Sequence, residues 1–206
     1  MKQSTNRNTS SPADRVLGLA RRAGILRARD LAPLGLPRTY LSRLVEKGLL
    51  ERVGRGLYVA AGSEATEQRD LAAACRRVPG GVVCLLSALQ FHGLGTQAPF
   101  EVWLAIAPTA RTPRPAAPPL RIVRMAEEAR SAGIEEHVLE GVPVRVFGPA
   151  KTVADCFKFR HRVGLDVALE ALREFRRGRG DLDALWRFAR ICRVARVLRP
   201  YLEALA

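Results

Sequence analysis

Two short stretches carry side chains suited to gripping a nucleic acid. Across residues 37–47 the apolar positions Leu41, Leu44 and Val45 fall at i, i+3 and i+4, one stripe of a helix. The remaining faces hold Arg38, Thr39, Ser42, Arg43 and Glu46, and Lys47 closes the run. Arginine offers a planar fork of donors to guanine edges and phosphates, and hydroxyls reach either. Residues 49–53 and 57–59 then read as strands around Gly54-Arg55-Gly56, a hairpin with Arg55 at its tip. Arg38, Thr39, Ser42 and Arg43 are therefore expected in a major groove. Lys47, Arg52 and Arg55 are expected on phosphates. The plainer alternative is an ordinary amphipathic surface helix capped by a hairpin.

Other chemistry is poorly supported by residue spacing. Cys75, Cys84, Cys156 and Cys192 stand far apart in apolar surroundings, with no C-x-x-C pair. They read as buried, reduced thiols of a cytosolic protein rather than zinc ligands. His92, His137 and His161 are isolated, so no metal and no cofactor is expected. Glu101-Val102-Trp103 lacks the lysine that a restriction-type nuclease places after its acids. The phosphate-cradling glycine loops and the Gly-x-Ser-x-Gly elbow are absent. Lys151, Thr152 and Asp155 form the one polar cluster on a helical pattern. Lys151 and Asp155 are four apart, the spacing of a surface ion pair more often than of a catalytic one. No enzyme is expected.

The elements that position the basic residues are legible at their ends. Ser11-Pro12 starts a helix as N-cap and first residue, Val16, Leu17 and Ala20 face inward, and Gly24 stops it. Ile25-Leu26 is extended, residues 29–34 form a second short helix, and Gly35-Leu36-Pro37 is the turn. Pro37 presets the next helix and Gly48 ends it. Helix, turn, helix and hairpin in this order describe a winged helix-turn-helix. Residues 1–11 are expected to be a disordered tail, residues 12–62 a DNA-binding domain, and residues 63–206 a second, mixed domain.

That second part begins with a helix over 64–77. Ser87 caps a short helix over 88–92. Residues 100–107 alternate as a strand, with Phe100, Val102, Leu104 and Ile106 on one face. Prolines at 108, 113, 115, 118 and 119 make the next stretch a loop or extended arm between two strands. Its Arg111 and Arg114 can reach phosphate, or the stretch is simply a solvated loop. Strands follow over 120–125 and 137–147, with a turn at Glu140-Gly141. Helices then cover 151–160, 163–176, 182–190 and 195–205. Few strands followed by many helices predict an α+β fold: a winged helix-turn-helix, a small mostly antiparallel sheet and a helical C-terminal tail.

Composition sets the outer bounds. The 206 residues are 48% hydrophobic, enough for a buried core, which excludes general disorder and a disulfide scaffold. Apolar runs such as residues 82–86 are far short of the roughly 20 residues of a membrane span. Residues 1–11 are polar, so no secretory signal is expected and the cytoplasm is the expected location. Formal net charge is +14, and arginine supplies 30 of the 34 basic residues. Residues 1–62 carry +8 of that excess. A polyanionic partner, double-stranded DNA, is the reading, met by the first segment.

The order of these features resembles a known family. Arg15-Val-Leu-Gly-Leu-Ala20, Leu36-Pro-Arg-Thr-Tyr-Leu-Ser-Arg-Leu-Val-Glu-Lys-Gly-Leu-Leu50 and Val53-Gly-Arg-Gly-Leu-Tyr58 look like the N-terminal winged helix of AbiEi-type antitoxins. Ser87-Ala-Leu-Gln-Phe-His-Gly-Leu94 and Pro149-Ala-Lys-Thr-Val-Ala-Asp155 are similar to that family's C-terminal half. The resemblance implies an antitoxin of a type IV toxin–antitoxin system, an abortive-infection phage defence. Such proteins repress their own operon by binding inverted repeats. They counter a nucleotidyltransferase-like toxin without a stable complex, with the C-terminal domain involved. From the residues alone, a winged-helix regulator with a ligand-sensing domain and a DNA-targeted nuclease remain open alternatives.

Overall fold

The computed structural model describes residues 11–63 and 68–205. The first helix, α1 (Pro12–Ala23), opens on the expected cap. Ser11 Oγ accepts from the Asp14 backbone N–H at 3.1 Å, and the Asp14 carboxylate accepts from the Ser11 N–H at 3.2 Å. Strand β1 (Leu26–Arg27) follows, then a 3-10 helix (Ala28–Leu34) that runs through Pro33 and ends at Gly35. Next come α2 (Thr39–Glu46) and the strands β2 (Leu50–Gly54) and β3 (Leu57–Ala60). The three strands form an antiparallel sheet in the order β1-β3-β2. The ten residues before Ser11, most of the expected tail, lie outside the described residues.

The rest of the chain is α3 (Arg69–Arg77), β4 (Val82–Val83), α4 (Leu85–His92), β5 (Val102–Ile106) and β6 (Leu120–Arg124). After these come α5 (Glu127–Ser131), β7 (Ile134–Leu139) and β8 (Val142–Phe147). Five helices close it: α6 (Pro149–Lys158), α7 (Arg160–Val163), α8 (Leu165–Arg177), α9 (Leu182–Ile191) and α10 (Ala195–Glu203). The fold is α+β, with a small sheet followed by helices. None of the described helices is long and apolar enough to cross a membrane.

Several local expectations are corrected. Across both sheets four of six pairings are antiparallel, but the five-stranded sheet, ordered β6-β5-β4-β8-β7, is mixed. Strands β5 and β6 run parallel, and so do β4 and β8. A parallel return needs a crossover of a dozen or so residues. Residues 107–119, too proline-rich for a helix, supply it. Strand β5 is buried on both faces because hydrophobic clusters cover both sides of the sheet, Val102 and Leu104 on one and Trp103 and Ala105 on the other. Ser87 caps nothing: α4 begins at Leu85, and Ser87 Oγ inside it accepts from the Trp103 N–H at 3.0 Å. The expected helix over 163–176 breaks at Gly164 into α7 and α8. Residues 64–67, the start of the expected helix over 64–77, lie outside the described residues.

Among the described residues, three hydrophobic clusters organise the packing. One lies within the N-terminal segment around Val16, Leu31, Leu41 and Leu44. A second joins Ile25, Leu57 and Val59 to α3 and one face of the five-stranded sheet. The third fills the sheet's other face beneath α4, α6, α8 and α9. Side chains alternate across β3, so Leu57 and Val59 serve the second cluster while Tyr58 packs on the first. Strand β3 therefore rivets the N-terminal segment to the rest of the molecule.

Candidate nucleic-acid interface

Helix α2 owes its orientation to one buried edge. Leu41 and Leu44 are buried in the N-terminal cluster beside Leu36 and Leu50. Gly35 enters the left-handed region (φ 64°), which lets the chain turn tightly between the 3-10 helix and α2. The exit is fixed by Gly48 (φ 66°) and by the Leu49 N–H donating to the Leu44 carbonyl at 2.8 Å. With that edge inward, Arg38, Thr39, Ser42, Arg43, Glu46 and Lys47 are all exposed. The Arg43 guanidinium lies 6.0 Å from the Tyr40 ring centroid.

The hairpin turns at Arg55-Gly56, with Gly56 at φ 73°. A register shift between Arg52 and Gly54 bends β2. Arg52 and Arg55 are exposed, and Arg52 Nε donates to the Gly54 carbonyl at 3.2 Å. The Ala28 N–H donates to the Gly56 carbonyl at 3.0 Å, fixing the hairpin tip against the 3-10 helix.

The predicted side chains are all on the surface, but they divide into groups. Arg38 and Arg55 line one cleft of about 270 Å³ together with Arg27, Arg29 and Arg77. Arg52 and Arg55 line a neighbouring hollow against Pro115, Ala116 and Ala117. Thr39, Ser42, Arg43 and Lys47 stand along α2 outside both. Arg29 and Arg77 were not among the sequence candidates. Both sit at helix ends, and only the docking of the end of α3 against residues 25–30 brings them into one cleft with Arg38. Within the same junction Arg76 pairs with Asp30 and donates to the Ile25 carbonyl at 3.1 Å. Arg27 Nη1 donates to the Arg76 carbonyl at 2.9 Å.

The polar cluster on α6 is not a surface pair. Lys151, Thr152 and Asp155 are fully buried, because α6 is enclosed by the sheet and by α4, α8 and α9. Lys151 Nζ donates to Asp155 Oδ2 at 2.5 Å and lies 4.1 Å from the Phe147 ring centroid. Cys192 Sγ donates to Asp155 Oδ1 at 3.1 Å, and Thr152 Oγ1 donates to the Phe147 carbonyl at 2.9 Å. Burial pushes the Asp155 carboxyl above its ordinary value, with Lys151 and the Cys192 thiol pulling it partway back. Lys151 Nζ, Thr152 Oγ1 and Cys192 Sγ each have an acceptor, and the cluster is closed to solvent. All four cysteines are free and buried. Burial raises the Cys75 and Cys192 thiols to about 12 and pushes the Cys84 and Cys156 thiols up as well. Among the described residues no three of His, Cys, Asp and Glu gather as a metal site.

Comparison with known proteins places the N-terminal geometry in context. Residues 14–61 match the family described as transcriptional regulator, AbiEi antitoxin. The match spans α1 to β3 and supports an AbiEi-type relationship for that segment. No curated protein matches the chain. Among solved structures, the chain is similar to the crystal structure of RV2827C protein from Mycobacterium tuberculosis. That similarity has a TM-score of 0.61 at 19% identity and covers 89% of this chain and 72% of the other. It concerns the fold, and it extends past residue 61 into the sheet and the C-terminal helices.

Proposed function

We propose that this chain is a sequence-specific DNA-binding autorepressor and the antitoxin of a type IV toxin–antitoxin system. In this reading residues 12–62 are a winged helix-turn-helix domain, with α2 as recognition helix and the β2–β3 hairpin as wing. Residues 63–206 are the antitoxin domain. Arg38, Thr39, Ser42 and Arg43 meet base edges in the major groove, and Lys47, Arg52 and Arg55 hold phosphates. The target is an inverted repeat upstream of its own gene. The protein acts in the cytoplasm, against a nucleotidyltransferase-like toxin and without a stable complex with it. The observation that carries the reading is the α2 face. Four polar or basic side chains stand exposed beside an arginine-lined cleft, on a segment matching a family of regulator antitoxins.

Gel shifts with the duplex upstream of the gene, and with a scrambled duplex of equal length, test it. Arg43→Ala is expected to weaken binding to the upstream duplex roughly 5- to 150-fold, the effect of about 1–3 kcal/mol, and to relax the preference over scrambled DNA. Arg55→Ala is expected to weaken both duplexes alike. Wild-type protein that shifts neither duplex overturns the proposal.

A further inference from the structure

The proline-rich crossover, residues 107–119, is held at both ends by guanidinium groups. Arg124 Nη1 donates to the carbonyls of Ala107, Pro108 and Ala110 at 3.2, 2.6 and 2.8 Å, and its Nη2 donates to Thr112 Oγ1 at 3.0 Å. Arg77 Nη1 donates to the carbonyls of Ala116, Ala117 and Pro118 at 2.7, 3.1 and 2.9 Å. One clamp comes from β6 and the other from the end of α3. Between them prolines restrict the backbone further. The tip is a stiff projection that needs little ordering when it meets a partner.

That projection abuts the hairpin. A Cβ on Gly54 would stand 2.7 Å from the Ala117 carbonyl oxygen, so the two backbones touch where only a glycine fits. The tip carries Arg111 and Arg114, both exposed and, among the described residues, in no ion pair. They line a hollow of about 880 Å³ together with Arg29, Arg77 and Arg130. Arg29 and Arg77 also line the cleft that holds Arg38 and Arg55. The hollows thus adjoin one another, sharing Arg29, Arg77 and Arg55, from the start of α2, past the hairpin, to the crossover tip. Among the described residues none of them has an Asp or Glu in its lining, although Arg27 pairs with Asp30 and Arg130 with Glu127.

We infer that the 107–119 crossover is a second wing: Arg111 and Arg114 grip the phosphate backbone of duplex DNA beyond the stretch that α2 and the β2–β3 hairpin occupy. Arg29, Arg38, Arg55, Arg111 and Arg114 are, among the described residues, in no ion pair, and such a surface, held before binding by the two clamps, complements a double-stranded backbone, which carries one negative charge per roughly 1.7 Å of axis. The inference rests on the DNA-binding reading above and extends its footprint into residues outside 12–62.

The test compares the full-length wild-type protein with an Arg111→Ala/Arg114→Ala variant. Binding to a random-sequence duplex of about 30 base pairs, roughly three helical turns, is followed by anisotropy over a salt series. Losing two phosphate contacts lowers the slope of log affinity against log salt by about 1.8. The affinity lost between about 50 and 200 mM salt then becomes roughly tenfold smaller than for wild type. Arg111→Lys/Arg114→Lys, which keeps the charges, is expected to retain the wild-type slope. Both positions are exposed, so an unchanged melting temperature accompanies either variant. An Ala variant with wild-type affinity and slope overturns the second wing and leaves the recognition helix standing, as the Arg43→Ala result reports independently. Wild-type protein that binds no duplex overturns both.

Discussion

Lys151 and Asp155 show how much a residue's role depends on what encloses it. Four apart on an exposed helix they would contribute a few tenths of a kcal/mol. Fully buried, they satisfy one another, and Asp155 also accepts from Cys192. Taking both charges out of water offsets most of their attraction, so the pair as a whole contributes little net stability. Removing one partner is a different matter, because it strands the other without solvent. Lys151→Met is therefore expected to cost about 3–5 kcal/mol. The double variant Lys151→Met/Asp155→Val, which leaves no buried carboxylate, should recover at least half of that. Urea unfolding of wild type and both variants reads the difference. A double variant less stable than Lys151→Met alone would mean that the pair is net stabilising and that this account of its desolvation is wrong.

At the level of elements, the contact between α1 and the β7–β8 turn sets how the N-terminal segment sits on the sheet. Gly24 ends α1 at φ 61° and ψ −71°, and a Cβ there would collide with the Glu140 carbonyl oxygen. Gly141 approaches the Ala23 carbonyl from the other side, where a Cβ would stand 3.1 Å from its oxygen. Backbone meets backbone, so neither side can yield as a flexible side chain would. Gly35 has nearly the same φ, 64°, but nothing lies within 4 Å of its added Cβ. Gly35→Ala should cost on the order of 1 kcal/mol, the ordinary left-handed penalty, and Gly24→Ala on the order of 3 kcal/mol or more. The ψ of −71° at Gly24, against 22° at Gly35, adds strain of its own, so thermal melts of the two variants read that strain and the collision together, and equal shifts would refute the docking argument. These elements also mark what a sequence makes legible. Ser11-Pro12, Gly48 and the prolines of residues 107–119 act locally, and the structure agrees with them. The start of α4 at Leu85 (φ 47°), the double burial of β5 and helix α5 were not legible, because neighbours distant in sequence impose them. The same divide runs through the candidate interface. Exposure of Arg38, Arg43 and Arg55 follows from local periodicity. Arg29, Arg77 and the crossover join them only through tertiary packing.

For the whole molecule, charge and burial answer differently to pH. Arginine makes up 30 of the 34 basic residues, so the positive surface persists far into the alkaline range. The buried thiols do not leave stability so untouched. Burial raises all four cysteines above their unfolded value of 9.0, Cys75 and Cys192 to about 12. A group whose folded pKa is raised lends stability that is fully present below its unfolded pKa. Above pH 9 the unfolded chain releases thiol protons that the folded chain still holds, and stability falls until the folded pKa is passed. Each thiol contributes a slope approaching about 1.4 kcal/mol per pH unit, so four together remove on the order of 4 kcal/mol between pH 9 and 10. Urea midpoints should therefore be flat from pH 7 to 8 and drop steeply above 9. Cys75→Ala should lose about a quarter of that slope. A midpoint that holds level to pH 10.5 would show that the thiols already ionise in the folded protein, and that its interior is wetter than the packing around α3 and α6 implies.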